Sequence, residues 1–161
     1  MTKPYKILFL CTGNSARSIL CEYFIRRVAP GRFESYSAGA EPLGKVNPLV
    51  MYVLQERYKI DASAARSKSW AEYKDMQFDF VITVCDSARK KCPIWPGQPI
   101  IAHWGFTDPA TFTGSDDEKL EQIGRVALQI QRRLDLFCSL PMEKMEWLKL
   151  ADAIRDIGRK E

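Results

Sequence analysis

The hydrophobic positions change spacing several times along the chain. Four segments of strand length, each bounded by turn or loop residues, lie at 5–10, 33–38, 79–84 and 99–104. Between them, residues 18–29 and 47–58 carry apolar side chains at the spacing of a helix. Strands that alternate with helical segments are typical of a parallel sheet covered on both faces. The pattern therefore predicts an α/β fold with a four-stranded parallel sheet and helices on both faces.

The last third of the chain has a purely helical pattern. Ser115 and Glu118 form a capping-box signature. From there to Phe137 the apolar residues recur every three or four positions and form one core-facing stripe. Pro141 ends this helix, and a second helical pattern follows it. We expect a catalytic domain over 1–140 and a C-terminal helical extension over 141–161 that packs on the same domain.

Length, charge and cysteine content narrow the function classes. A chain of 161 residues suits one domain with its own core. The net charge of +4 is spread among 20 acidic residues without a basic stripe, so we expect no nucleic-acid partner. No run reaches the ~20 apolar residues of a membrane helix, and the first residues do not resemble a signal peptide. The odd number of cysteines, five, favours reduced thiols, and we expect a cytoplasmic protein.

The segment between the first strand and the first helix has the form C-x5-R-S, from Cys11 to Ser18. A tight loop in this position directs backbone N–H groups at one point and binds a tetrahedral oxyanion at the positive end of a helix. We expect Gly13 and Asn14 to adopt backbone conformations that bulkier residues avoid. Arg17 supplies a planar fork of donors for two anion oxygens. The predicted oxyanion-binding residues are Cys11, Thr12, Gly13, Asn14, Ser15, Ala16 and Arg17.

Cys11 lies at the base of this predicted loop. The loop N–H dipoles, the guanidinium of Arg17 and the hydroxyl of Ser18 all favour a thiolate. We therefore expect the pKa of the Cys11 thiol to fall below the ordinary value of ~8.5.

The segment CTGNSARS after an apolar strand resembles the active-site loop of the low-molecular-weight protein tyrosine phosphatase superfamily. The resemblance implies that Cys11 is the nucleophile, that Arg17 clamps the anion and that Ser18 stabilises the thiolate. It also implies that Asn14 holds the loop in shape. The Asp-Pro pair after the fourth strand is a second element of this family, and by resemblance Asp108 is the general acid that protonates the leaving oxygen.

Two further cysteines, Cys85 and Cys92, distinguish the chain from the phosphatases of the superfamily. Together with the sequences at 103–106 and 108–110, they make it similar to the superfamily's arsenate reductases, which add two redox cysteines to the nucleophile. Those phosphatases typically have an aromatic residue after Asp-Pro, where this chain has Ala110. The resemblance therefore implies arsenate reduction and disfavours phosphotyrosine as the substrate.

The same resemblance implies a relay of disulfides. Arsenate forms an adduct with Cys11, and attack by Cys85 on the Cys11 sulfur releases arsenite and leaves a Cys11–Cys85 disulfide. Cys92 then displaces Cys11 to give Cys85–Cys92. Thioredoxin, glutaredoxin or a low-molecular-weight thiol is the expected reductant, and phosphate or sulfate the expected competing oxyanion.

The spacing of the second pair predicts a conformational change. If residues 85–92 form a helix, seven residues separate the two alpha carbons by ~10.5 Å along its axis, whereas a disulfide allows at most ~7 Å. The segment must then unwind before the Cys85–Cys92 disulfide forms.

Two other functions remain open on the sequence alone. The chain is a low-molecular-weight phosphatase if Cys85 and Cys92 only protect against oxidation. It is a redox or oxyanion sensor if a partner protein binds one disulfide state. Cys21 and Cys138 have no comparable position, and we expect them to be packing residues. His103 is the only histidine and has no ligand cluster at metal-binding spacing, so we expect no metal or cofactor.

Some thioredoxin-coupled members of the resembled group bind potassium beside the loop. Three of their ligand positions match Asn14, Glu22 and Ser37, whereas the fourth, an aspartate, falls on Lys68. The lysine ammonium can take the place of the ion as the partner of Glu22. We therefore predict activity that does not depend on potassium.

Overall fold

The computed structural model describes residues 3–159, apart from the side chain of Ala110. Within this range four parallel strands form one sheet in the order β2-β1-β3-β4. The strands are β1 (Tyr5–Cys11), β2 (Phe33–Gly39), β3 (Phe80–Thr83) and β4 (Ile100–His103). The predicted four-stranded parallel sheet is thus confirmed, with β3 and β4 one residue shorter at each end than their predicted segments.

Five α-helices accompany the sheet in the described part of the chain: α1 (Arg17–Val28), α2 (Pro48–Tyr52), α3 (Asp86–Lys91), α4 (Asp116–Cys138) and α5 (Trp147–Ile157). A π-helical turn, Val53–Arg57, continues α2 to the length expected from the sequence. Both predicted caps are present. Asn47 accepts a hydrogen bond from the N–H of Leu49, and Ser115 and Glu118 form the reciprocal capping box of α4.

Helices cover both faces of the sheet, as predicted. On one face the rings of Phe33 and Phe80 pack against Phe137 of α4. On the opposite face Tyr36 packs against Tyr73, which belongs to a short 3-10 helix, Trp70–Tyr73. Phe33 and Tyr36 point to opposite faces because their positions on β2 differ by an odd number. The central strands are therefore buried from both sides.

The C-terminal helix α5 lies against the edge strand β4. Its residues Leu150, Ile154 and Ile157 are buried, whereas Trp147 is nearly half exposed. The indole N–H of Trp104 donates to the carbonyl of Ile154 at 3.0 Å. Helix α5 thus protects the outer strand of the sheet. No helix within residues 3–159 combines the length and apolarity needed to cross a membrane.

Candidate active site

The carboxyl ends of the parallel strands bring the predicted site residues to one edge of the sheet. Cys11 ends β1, Cys85 follows β3 and Asp108 follows β4. A cavity of about 360 Å³ opens at this edge. Its lining comprises Cys11, Thr12, Gly13, Ser15, Ala16, Arg17, Glu41, Leu43 and Asp108. Glu41 and Leu43 were not predicted from the sequence, since they follow β2 without a motif of their own.

Cys11 is almost fully buried beneath the loop and is surrounded by donors. Its Sγ lies 2.8 Å from the Oγ of Ser18 and accepts a hydrogen bond from the N–H of Asn14 at 3.2 Å. Burial raises the pKa of the Cys11 thiol, whereas Ser18, the loop amides and Arg17 act in the opposite direction. The predicted fall in this pKa is therefore wrong, because desolvation outweighs the donors that the motif supplies.

The loop backbone differs in one respect from the prediction. Asn14 adopts the expected left-handed conformation, with φ 49°. Gly13 does not have a positive φ, so that expectation is wrong. The glycine that the loop requires is Gly39 at the end of β2, where an added Cβ would lie 2.5 Å from the carbonyl oxygen of Thr12. No local pattern reveals this contact because it joins two distant segments of the chain.

The side chain of Asn14 ties the loop to its surroundings. Its amide nitrogen donates to the hydroxyls of Ser18 and Ser37, at 2.8 and 3.0 Å. Its carbonyl oxygen accepts from the backbone N–H of Lys68 at 2.9 Å. The neighbouring Ser67 was not predicted, and its hydroxyl donates to the carbonyl of Gly13 at 2.9 Å. The 67–68 segment thus supports the loop from outside.

Lys68 places a buried ammonium group beside the loop. Its Nζ donates to the Oδ1 of Asn14, the Oγ of Ser37 and the carbonyl of Arg66, at 3.3, 3.2 and 2.9 Å. The same nitrogen lies 3.9 Å from the Oε1 of Glu22. Burial lowers the pKa of Lys68, and the carboxylate of Glu22 opposes that shift. The ammonium therefore contacts all three residues that match potassium ligands in the resembled group.

Arg17 and Asp108 both line the cavity and form an ion pair with each other. The Nη2 of Arg17 lies 3.3 Å from the Oδ2 of Asp108, and its Nη1 donates to the carbonyl of Phe106 at 3.2 Å. Arg133 of α4, which was not predicted, stacks on the Phe106 ring and donates to the carbonyl of Gly105 at 2.8 Å. The loop that carries Asp108 is thus fixed from both sides.

Cys85 lies next to the oxyanion loop and caps α3. Its Sγ is 3.3 Å from the Oγ1 of Thr12 and accepts a hydrogen bond from the N–H of Ala88 at 3.4 Å. Thr12 directly follows Cys11 in the chain, so the Cys85 thiol contacts the loop one residue beyond Cys11. Cys85 thus contacts the loop that begins at Cys11, although its thiol does not line the oxyanion cavity itself.

Cys92 lies at the opposite end of α3 and does not line the oxyanion cavity. The thiol is half-buried, and burial raises the pKa of Cys92. Helix α3, Asp86–Lys91, lies between Cys85 at its N-cap and Cys92 at its C-cap.

Cys21, Cys138 and His103 lie outside the oxyanion cavity. Cys21 is fully buried in the core, and Cys138 is half-buried against it. His103 contacts the Oγ1 of Thr83 through Nδ1 at 2.9 Å and the Oδ1 of Asp86 through Nε2 at 3.1 Å. Burial and the nearby charge of Arg89 lower its pKa, so the ring is neutral at pH 7.

Known proteins share this fold. The family model described as low molecular weight phosphotyrosine protein phosphatase matches residues 6–127. An arsenate reductase of Halalkalibacterium halodurans is 37% identical over 131 residues, which cover 81% of this chain and 93% of that protein. A solved arsenate reductase in the phosphate-binding state is 28% identical, with a TM-score of 0.68, and the match covers 81% of this chain and 94% of that one.

The thioredoxin-dependent arsenate reductase of Corynebacterium glutamicum is 26% identical with a TM-score of 0.59, and the match covers 84% of this chain and 65% of that one. The family match spans most of the chain, and its curated relatives include proteins named arsenate reductase. The chain therefore belongs to the low molecular weight phosphotyrosine protein phosphatase family and groups with its arsenate reductases.

Proposed function

We propose that this protein reduces arsenate to arsenite through a relay of cysteine thiols. The observation that carries the proposal is the position of Cys85, whose Sγ contacts Thr12, the residue after Cys11. Hydrolysis of a phosphate ester requires only one thiol at this loop, whereas reduction of an oxyanion requires a second one close to the first.

The first step forms a covalent adduct. Arg17 and the loop amides hold arsenate, and the Cys11 thiolate attacks arsenic. One arsenate oxygen leaves as water after it receives a proton from Asp108, which lines the same cavity. Phosphate and sulfate have the same tetrahedral shape and negative charge, so they compete for this site.

The second step transfers two electrons to arsenic. The Cys85 thiolate attacks the Cys11 sulfur, the S–As bond breaks, and its electron pair remains on arsenic, which leaves as arsenite. Cys92 then attacks the Cys85 sulfur and releases the Cys11 thiolate. Thioredoxin, glutaredoxin or a low-molecular-weight thiol reopens the Cys85–Cys92 disulfide, so the cycle belongs in a reducing compartment such as the cytoplasm.

Helix α3 has to unwind for the last disulfide to form. Cys85 and Cys92 flank this six-residue helix, and the seven steps from one alpha carbon to the other extend ~10.5 Å at helical rise, beyond the ~7 Å that a disulfide allows. The relay therefore couples the oxidation state of the site to the structure of one short helix.

Single-turnover chemistry tests the relay. Fully reduced wild type, Cys85→Ser and Cys92→Ser are mixed with arsenate without reductant, and arsenite and free thiols are counted. We expect Cys85→Ser to release no arsenite. Cys92→Ser should release one arsenite per molecule and should not sustain turnover when thioredoxin and its reductase are added. Cys138→Ser, which changes a packing cysteine, is the control and should turn over normally. Full turnover by both relay variants would contradict the proposal.

A further inference from the structure

A second cavity, of about 380 Å³, opens between α3, β4 and the end of α5. It shares no lining residue with the oxyanion cavity. Cys92 lines it, together with Arg89, Arg155 and Arg159. None of the lining residues is acidic. The volume suits a small molecule, and guanidinium groups bind carboxylates in a planar, bidentate way.

Two of the three arginines have no acidic partner in the described chain. Within residues 3–159 neither Arg89 nor Arg155 forms an ion pair, while Arg159 pairs with Asp156 at the surface. The Nε of Arg155 donates to the carbonyl of Ile101 at 3.1 Å, which leaves its terminal nitrogens available to a ligand. The cavity therefore combines a half-buried thiol with two guanidinium groups that form no ion pair within residues 3–159.

Close packing of α5 on β4 fixes one wall of this cavity. An added Cβ at Gly158 would lie 2.1 Å from the carbonyl oxygen of His103, so the end of the helix is pressed against the strand. Helix α5 lies beyond residue 127, where the family match ends. Arg155 and Arg159 thus come from the C-terminal part of the chain that the family model does not include.

We propose that this cavity binds a small thiol that carries at least two carboxylates, and that this thiol reduces the Cys85–Cys92 disulfide. The inference rests on the relay proposed above. The bound thiolate attacks the Cys92 sulfur, the S–S bond breaks, and Cys85 leaves as a thiolate that takes a proton from water. A second thiolate attacks the sulfur of the bound thiol, which gives the small-molecule disulfide and frees Cys92. Two small thiols thus supply the two electrons.

The wall formed by α5 and β4 lies outside the segment that unwinds in the proposed relay. Arg89 and Cys92 belong to the segment that moves, whereas Arg155 and Arg159 lie outside it. These two arginines are therefore the positions at which the proposal is tested.

The kinetic test uses glutathione, a thiol with two carboxylates, and its diethyl ester, in which both are neutral. Wild type is oxidised by arsenate, and the reappearance of free thiols is followed with each reductant. We expect glutathione to reduce wild type about tenfold faster than the ester does, because one charge-assisted contact supplies a factor of about this size. This preference for glutathione should disappear in the R155Q/R159Q double variant. Arg125→Gln, an exposed arginine of α4, is the matched control and should keep the preference.

A binding test separates the cavity from the relay. S-methylglutathione, which has no free thiol, is titrated into the reduced protein and followed by NMR shifts of α5 and β4. We expect saturable shifts in wild type and Arg125→Gln and none in the double variant. Failure of arsenate to oxidise the protein would overturn the relay and leave this binding result intact.

Three outcomes would overturn the proposal. One is an equal rate for glutathione and its ester with wild type. Another is an undiminished preference, or undiminished S-methylglutathione binding, in the double variant. The third is a double variant that slows reduction by thioredoxin and not by glutathione, because the arginines would then form a docking surface for a protein reductant.

Discussion

The side chain of Asn14 holds the oxyanion loop in shape, because both its amide donor and its carbonyl acceptor form hydrogen bonds. Asn14, Ser18 and Ser37 are fully buried, and each has a hydrogen-bond partner in this network. A buried polar group that loses its partner costs ~1–3 kcal/mol, so the network strongly favours one loop conformation. The same network positions the Ser18 hydroxyl against the Cys11 sulfur.

Ser18→Ala tests how far that hydroxyl supports the Cys11 thiolate. Because Ser18 makes the largest contribution that lowers the pKa of Cys11, its removal should raise this pKa further. A hydrogen bond to a charged group is worth ~1.5–3 kcal/mol, or about one to two pH units. The pH profile of Cys11 alkylation by iodoacetamide should therefore move to higher pH. Ser15→Ala removes another hydroxyl of the loop and should leave the pH profile unchanged. An unchanged profile in Ser18→Ala would contradict the role of the Ser18 hydroxyl in stabilising the Cys11 thiolate.

Lys68 leads to a prediction about cations. Since its ammonium already contacts Asn14, Ser37 and Glu22, wild-type turnover should be equal in potassium and sodium at fixed ionic strength. In Lys68→Asp a second carboxylate faces Glu22, and both thermal stability and turnover should then rise with potassium relative to sodium. Lys74→Asp makes the same charge change at an exposed position and should respond equally to the two salts. Strong potassium stimulation of wild type would contradict the role of Lys68.

At the scale of the element, α3 has few means of holding itself together. It has six residues, and isolated helices of this length are marginal in water. Its N-cap acceptor is the Sγ of Cys85, which the relay consumes in a disulfide. A lost N-cap costs roughly 1 kcal/mol, a large fraction of what so short a helix gains. Oxidation of Cys85 thus removes a stabilising contact from the helix that has to unwind.

Amide hydrogen exchange across 85–92 tests this coupling. In the reduced protein the N–H of Arg89 donates to the carbonyl of Cys85 at 3.1 Å, so it should exchange slowly. After oxidation to Cys85–Cys92 the amides of 88–91 should exchange much faster, while those of α1 keep their protection. Cys92→Ser stops at the Cys11–Cys85 disulfide and should show a smaller change. Unchanged protection of 88–91 in the fully oxidised protein would contradict the unwinding step.

At the scale of the whole molecule, sequence patterns predicted features with a local cause and missed those that arise when distant segments meet. Asn47 and Ser115 cap their helices through neighbours a few residues away, so the sequence was sufficient. Gly39 is required because β2 approaches the loop, a contact that no local spacing encodes. The pKa of Cys11 was wrongly predicted for a similar reason, since burial by the whole fold outweighs the donors of the motif.

The packing of α5 on the rest of the chain leads to the last prediction. We expect α5 and the rest of the chain to unfold as one unit, because Ile154 is fully buried and its carbonyl accepts from Trp104. Ile154→Ala should lower the free energy of unfolding by ~2–5 kcal/mol, measured by urea titration of Cys11 alkylation, a probe far from α5 in sequence. Leu148→Ala, at a position 80% exposed on the same helix, should change it by less than ~0.5 kcal/mol. If α5 instead unfolds by itself, the rest of the chain does not depend on α5 for its stability. Ile154→Ala will then leave the urea midpoint of Cys11 alkylation unchanged and will alter only the circular-dichroism signal of helix.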